Sequence, residues 1–311
     1  MDPPGGGPPS PGLSAPLLGG RRLGGIGAAR AARRAVLWAP LLAAAAVAAA
    51  GLALAPSAGA QPLSVAPGEP EPRSETPSAA QASAVADPAG ELAPGRSRRL
   101  SNGRSRSRWA FVAEAVWARK APKPSARRVK RLGLYVKGTN SPELVVALRE
   151  RRSLNGELWV KVRLPMRPNN RTGWVPREAL EGYRLTTTRL VIDTRRLRAT
   201  LFRRGRRVWS SAIGVGQRRW PTPRGRFYVR ERLVIPRGRI RGLYGPFAFG
   251  TSAHSNTLRG GNWGEGVIGV HGTSSPELIP GRISHGCVRV PNTKIQHLRQ
   301  LMGLGTSIHI R

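Results

Sequence analysis

From Trp109 onward the chain sets short apolar runs between turn residues, and several runs alternate with the two-residue period of strands buried on one face. Phe111–Trp117, Leu144–Leu148, Leu158–Leu164 and Gly173–Val175 read as strands of a first module. In the third, Trp159, Lys161 and Arg163 fall on one face and Leu158, Val160, Val162 and Leu164 on the other. Pro165, Pro168, Asn169 and Asn170 form the next turn. A second series begins near Thr187: Arg189–Ile192, Arg198–Phe202, Val208–Val215, Gly225–Val229, Val267–His271, Cys287–Val290 and Thr306–Ile310. The run Arg-Arg-Gly-Arg-Arg at 203–207 is a hairpin loop between two of these. One helix is expected over Asn292–Met302, with Asn292 as N-cap, Ile295, Leu298 and Leu301 as its apolar stripe, and Gly303 and Gly305 closing it. The pattern predicts a mainly β protein: a small β-barrel, then a larger β domain with one or two short helices.

The pattern fails upstream of residue 108. Arg21, Arg22, Arg30, Arg33 and Arg34 precede an uncharged 21-residue run, Ala35–Ala55, long enough to cross a bilayer as a helix. Small residues at Ala58 and Ala60 suit a signal-peptidase site, so a retained anchor and a cleaved signal both stay open. Residues 61–107 are Pro, Ser, Ala, Glu and Arg with almost no large apolar side chain, and are expected to be a disordered spacer. The expected organisation is therefore 1–34, a basic cytoplasmic segment; 35–60, anchor or signal; 61–107, spacer; 108–185, first β module; 186–311, second β domain. Such a chain faces the cell envelope outside the cytoplasm.

Charge narrows the partners. Fifty-two Lys and Arg against 16 Asp and Glu give a formal charge of +36, nearly all from arginine. Such a chain attracts polyanions, so an anionic cell-wall polymer or an acidic membrane surface is a possible partner. The same bias also follows from GC-rich coding. No zinc-finger spacing or aromatic RNA-binding signature accompanies it, and nucleic acid is not expected.

The stretch Gly281-Arg-Ile-Ser-His-Gly-Cys-Val-Arg-Val-Pro-Asn292 holds the only cysteine, Cys287. Outside the cytoplasm a lone thiol has no partner in its chain, so it is either an inert small hydrophobe or a nucleophile. A nucleophile needs its pKa lowered from about 8.5, a base held nearby, and donors for the oxyanion it generates. His285 stands two residues before Cys287, and His271 ends the apolar run Val267–Val270, followed by Gly272. Zinc held by His271, His285 and Cys287 is a rival reading, although no His-x-His or Cys-x-x-Cys spacing supports it. His254, His297 and His309 read as structural or surface residues. Trp220, Tyr244 and Trp263 could border a cleft, but aromatics on a β domain are more often core.

Together, Tyr-Gly-Pro-Phe-Ala-Phe-Gly at 244–250, Gly-Val-Ile-Gly-Val-His-Gly-Thr at 266–273, Ser-His-Gly-Cys-Val-Arg-Val-Pro-Asn at 284–292 and Thr222-Pro-Arg-Gly225 resemble the L,D-transpeptidase catalytic (YkuD-like) domain. The turn and Gly-Trp-Val ending at 158–175 resembles bacterial SH3-like domains. The first resemblance implies a β-sandwich in which Cys287 is the nucleophile and His271 its base, oriented by the Gly272 carbonyl. It further implies that backbone amides of Gly286 and Cys287 form the oxyanion hole. His285 and Arg289 would line the substrate site, with Arg289 suited to a carboxylate, and Ser284 and Asn292 would shape and border it. The implied enzyme is a cysteine acyltransferase acting on peptidoglycan stem peptides. It would attack the third residue of a tetrapeptide, release D-Ala, and form 3→3 cross-links through a thioester that a carbapenem could also make. It would need no cofactor or metal and work as a monomer. Water as acceptor would give a carboxypeptidase, and a protein amine would give wall-protein attachment. A non-catalytic wall-binding protein is the remaining alternative.

Overall fold

The computed structural model describes residues 72–75, 90–260 and 264–311, and these are mainly β, with two short helices, Arg239–Tyr244 and Asn292–Leu301. Residues 1–34, the apolar run 35–55 and Trp263 lie outside the described residues. Among the described residues no helix is long and apolar enough to cross a membrane.

The first sheet is antiparallel, in the order Arg128–Leu132, Val116–Arg119, Thr172–Pro176, Leu158–Arg163, Leu144–Arg152, Ser107–Phe111 and Arg184–Thr186. Its core includes Ala110, Val145, Ala147, Val160, Val162, Leu164, Val175 and Tyr183. The alternation read in Leu158–Leu164 holds for the valines. Trp159 is buried too, donating its indole N–H to Glu157 Oε2 at 3.1 Å. The strand expected over Phe111–Trp117 is in fact two, broken where Ala113, Glu114 and Ala115 turn out to solvent.

The second sheet runs Arg206–Ala212, Arg198–Arg203, Thr188–Asp193, Ser307–Ile310, Gly225–Val234, Phe247–His254, Val267–His271, Val288–Arg289, Gly214–Gly216 and Gly281–Ser284. The basic hairpin closes at Arg204 and Gly205, both with positive φ (49° and 83°), the geometry that matches strand twist. Val208–Val215 divides into two strands, because Ile213 leaves the ladder between them. The helix begins at Asn292 as foreseen, but its N-cap is Pro291 with no side-chain cap, since the Asn292 side chain is committed elsewhere.

Two stretches of the expected spacer are built into this body. Ser97–Arg99 pairs with Leu144–Arg152, and Leu100 is fully buried in the first core. Arg73 and Ser74 pair with Val234 and Leu233, and the Glu75 carboxylate joins the Arg232 and Arg299 guanidiniums. The composition was misleading because edge-strand backbone bonds and one ion pair need no run of large apolar residues.

The changeover between sheets falls between Thr186 and Thr188, yet the two share a core. Trp109, Phe111, Leu144 and Val146 of the first pack with Phe227, Tyr228 and Leu304 of the second. Gly305 (φ 69°) lies flat against the Trp109 indole, and a Cβ there would collide with the ring. The Glu143 carboxylate pairs with the Arg230 guanidinium at 2.5 Å, both buried. The turn at 165–170 also clamps the second sheet. Arg167 donates to the carbonyls of Ser255, Leu258 and Glu265, and Asn169 exchanges hydrogen bonds with the His254 backbone. Removing one partner of a buried ion pair strands the other charge, so Glu143→Ala should cost about 3–5 kcal/mol. Urea unfolding should show one transition shifted to lower midpoint, and a loss under about 1 kcal/mol would mean the pair does not bind the sheets together.

Candidate active site

Two neighbouring parallel strands create the site. Val270 pairs with Val288 and His271 with Arg289. Paired residues of adjacent strands project to the same face, so Val270 and Val288 enter the core while His271 and Arg289 emerge together on the other side. Cys287, two residues before Arg289, joins that face, as does Gly269, two before His271. The Gly269 N–H donates to Cys287 Sγ at 3.3 Å.

Glycine at 269 leaves the space between the two reactive groups open. A Cβ there would lie 3.8 Å from His271 Cδ2 and 3.9 Å from Cys287 Sγ, in contact with both. The imidazole edge and the sulfur therefore both border the open space over Gly269. His271 Nδ1 lies 2.6 Å from the Gly272 carbonyl oxygen, which can only accept. That fixes the proton on Nδ1 and leaves Nε2 with its lone pair, buried and without a protein partner.

The loops around the cysteine are braced by buried hydroxyls. Ser284 Oγ donates to the Cys287 carbonyl at 2.6 Å and accepts from the Gly286 N–H at 3.1 Å. Thr222 Oγ1 donates to the Gly286 carbonyl at 2.8 Å and accepts from the Gly216 N–H at 2.9 Å. Gly286 has φ 120°, open only to glycine. Asn292 Oδ1 accepts from the Thr273 N–H at 2.9 Å and fits between Gly245 and Gly272, where a Cβ on either glycine would collide with it. Asn292 thus holds the backbone whose carbonyl orients His271.

These placements revise several expected roles. Ser284 is fully buried and Asn292 is tied to the Thr273 backbone, so both shape the loop. The Gly286 amide is already engaged by Ser284, which removes one of the two expected oxyanion donors. Arg289 is 7% exposed, and its charge acts on Cys287 and Tyr244 rather than standing open to a carboxylate. His285 lies at the rim with its ring 4.0 Å from that of Trp220, and the Arg219 guanidinium stands 5.1 Å from the far ring's centroid. Trp220 thereby borders the site. Tyr244 was underrated: its ring meets His271 edge-on at 4.9 Å, and its hydroxyl is buried without a partner. The signal was available in its position next to Gly245-Pro246.

Burial sets the resting protonation. It pushes the Cys287 thiol upward, against the Gly269 N–H and the Arg289 charge, which pull downward. It pushes His271 down to about 4, with Arg289 adding to the effect and the Gly272 carbonyl opposing it. The Tyr244 hydroxyl is also raised by burial and by the neighbouring sulfur. Thiol and imidazole therefore both favour their neutral forms at rest. Among the described residues no group of three or more His, Cys, Asp or Glu is placed to hold a metal ion.

The family profile described as the L,D-transpeptidase catalytic domain (YkuD) aligns with this part of the chain. Residues 187–310 match that domain. An L,D-transpeptidase YkuD of Bacillus licheniformis is 29% identical over 110 residues, covering 35% of this chain and 57% of that protein. The solved structure of Bdellovibrio bacteriovorus Bd1075 is 26% identical, covers 40% of this chain and 47% of its own, and gives a TM-score of 0.33. An L,D-transpeptidase of Xylanimonas cellulosilytica is 24% identical, with coverage of 40% and 61% and a TM-score of 0.31. The chain thus spans about half the length of such relatives.

Two measurements probe this site directly. Gly269→Ala meets no backbone closer than 3.5 Å, so the fold should persist while the methyl fills the gap. Alkylation of Cys287 by iodoacetamide should slow about tenfold or more, with the melting temperature little changed; an unaltered rate would show the gap is not the route to sulfur. His271 and His254 are both held near 4, below the ordinary 6.5, so the unfolded chain binds more protons than the folded one between those values. Stability should be full above pH 6.5 and fall as pH drops through that window. Calorimetry giving the same melting temperature at pH 7.5 and 5 would contradict this.

Proposed function

We propose that residues 187–310 form a peptidoglycan L,D-transpeptidase that uses Cys287 as nucleophile and His271 as general base. The observation that carries this reading is the open space over Gly269, bordered both by Cys287 Sγ and by an imidazole whose free Nε2 lone pair is dictated by Gly272. Because both groups rest neutral, the nucleophile forms during attack: Sγ bonds to the carbonyl carbon of the third stem residue as its proton passes to Nε2. The negative charge moves to the substrate oxygen, where the Cys287 amide and the otherwise unpartnered Tyr244 hydroxyl are suitable donors. Arg289 lowers the cost of negative charge on sulfur. Collapse breaks the carbon–nitrogen bond, Nε2 protonates the departing D-Ala amine, and a thioester remains. A side-chain amine of a second stem then attacks. His271 accepts its proton, the carbon–sulfur bond breaks, and sulfur is reprotonated, leaving a 3→3 cross-link. Water in place of the amine gives the carboxypeptidase outcome.

On the same reading, residues 108–185 are an SH3-like module that backs the catalytic sheet. The flanked apolar run at 35–55 and the lone thiol support a location in the envelope, outside the cytoplasm. Intact-protein mass spectrometry after incubation with a tetrapeptide stem or a carbapenem should show a covalent adduct on Cys287. Cys287→Ala should remove it entirely, and His271→Gln should slow it by about 10²–10⁴. An adduct retained by Cys287→Ala would refute the assignment.

A further inference from the structure

Four strands of the second sheet present an outer face far more basic than its inner one. Arg189 pairs with Phe202 and Ser307, Val191 with Thr200 and His309, Asp193 with Arg198, and Arg226 with His309. These residues share one side. Their sequence neighbours Leu190, Ile192, Leu201, Phe227 and Ile308 point the other way, into the core. The outer side is hollowed by two adjoining cavities of about 590 and about 260 Å³, which have Asp193, Arg196, His309 and Arg311 in common. Arg195 and Arg224 complete the walls of the larger, Arg189 and Arg198 those of the smaller.

Every fixed cation in this trough is an arginine, and the one carboxylate is spent. Asp193 pairs with Arg311 at 3.2 Å and Arg196 at 3.7 Å, and also accepts from the Arg195 and Arg196 amides. No second acidic side chain lines the trough beside Arg189, Arg198 and Arg224. The Nε of Arg189 is buried without a hydrogen-bond partner. Burial holds the Arg189 and His309 charges down, and mutual repulsion adds to it: Arg226 and Arg311 bear on both. A fold that crowds like charges in a concavity is relieved by an anion.

We propose that this trough binds a linear phosphate-bearing polyanion laid across the strands. Arginine forks match the paired oxygens of phosphate, and a chain of such groups sets successive charges against successive guanidiniums. The shallow trough runs across the strands and can follow a chain along its length. Nucleic acid finds no open Phe, Tyr or Trp face to stack on, because Phe202 lies under the Arg189 guanidinium, 5.0 Å from its ring centroid. The trough shares no residue with the cysteine site, and the proposal does not depend on the transpeptidase reading.

The test uses the full chain, linear inorganic polyphosphate as probe, and a salt series. R196Q/R198Q/R224Q should weaken binding at least tenfold and flatten the log–log salt slope by about 2, as expected for about three lost contacts to a single-stranded polyanion. R127Q/R131Q/R151Q, which removes the same charge from exposed positions on the first sheet, should bind nearly as the unaltered protein does. Equal losses in both triples would reduce the effect to net charge and overturn the site. So would tighter binding of polyglutamate than of polyphosphate, or capture by phosphatidylglycerol vesicles that polyphosphate does not compete away. Cys287→Ala should keep polyphosphate binding, so a failure of one proposal is separable from a failure of the other.

Discussion

The parallel register of Val267–His271 with Val288–Arg289 places everything else at the site. It aligns Gly269 beside Cys287 and His271 beside Arg289, and puts all four on the side of the sheet away from the core. A slip of one residue in either strand would send the imidazole or the sulfur into the apolar interior. The register is held from several directions. Val270 and Val288 are buried, Thr222 and Ser284 fix the turn before the cysteine, and Asn292 fixes the turn after the histidine. Polar side chains in this region mostly position backbone, and the backbone then positions chemistry.

The electrostatics follow from that enclosure. A thiol and an imidazole shielded from water both favour their uncharged forms, since neither charge is well solvated there. Arg289 makes sulfur easier to ionise and the imidazole harder to protonate, so it cannot by itself maintain an ion pair between them.

Much of this was legible in the chain. Strand periodicity marked most elements of both sheets, and Gly-Val-His-Gly with Ser-His-Gly-Cys-Val-Arg marked the two strands that meet. What escaped was long-range. Asn292 has the residue type and position of an N-cap, and only the arrival of Gly245 and Gly272 beside it redirects its side chain. The spacer's composition hid Leu100, a single apolar anchor, and Glu75, whose arginine partners lie far along the sequence. Phe247–His254 is buried on both faces and so lacks the alternation that identifies a half-buried strand.

The shared core has a bearing on how the protein can be divided. The family match begins at residue 187, but the second sheet ends against the Trp109 indole, the Glu143 carboxylate and the Arg167–Asn170 turn, all earlier in the chain. A fragment cut at that homology boundary would expose an apolar socket around Gly305 and leave the Arg230 guanidinium without its counter-ion. For this protein the unit of ancestry is smaller than the unit of folding.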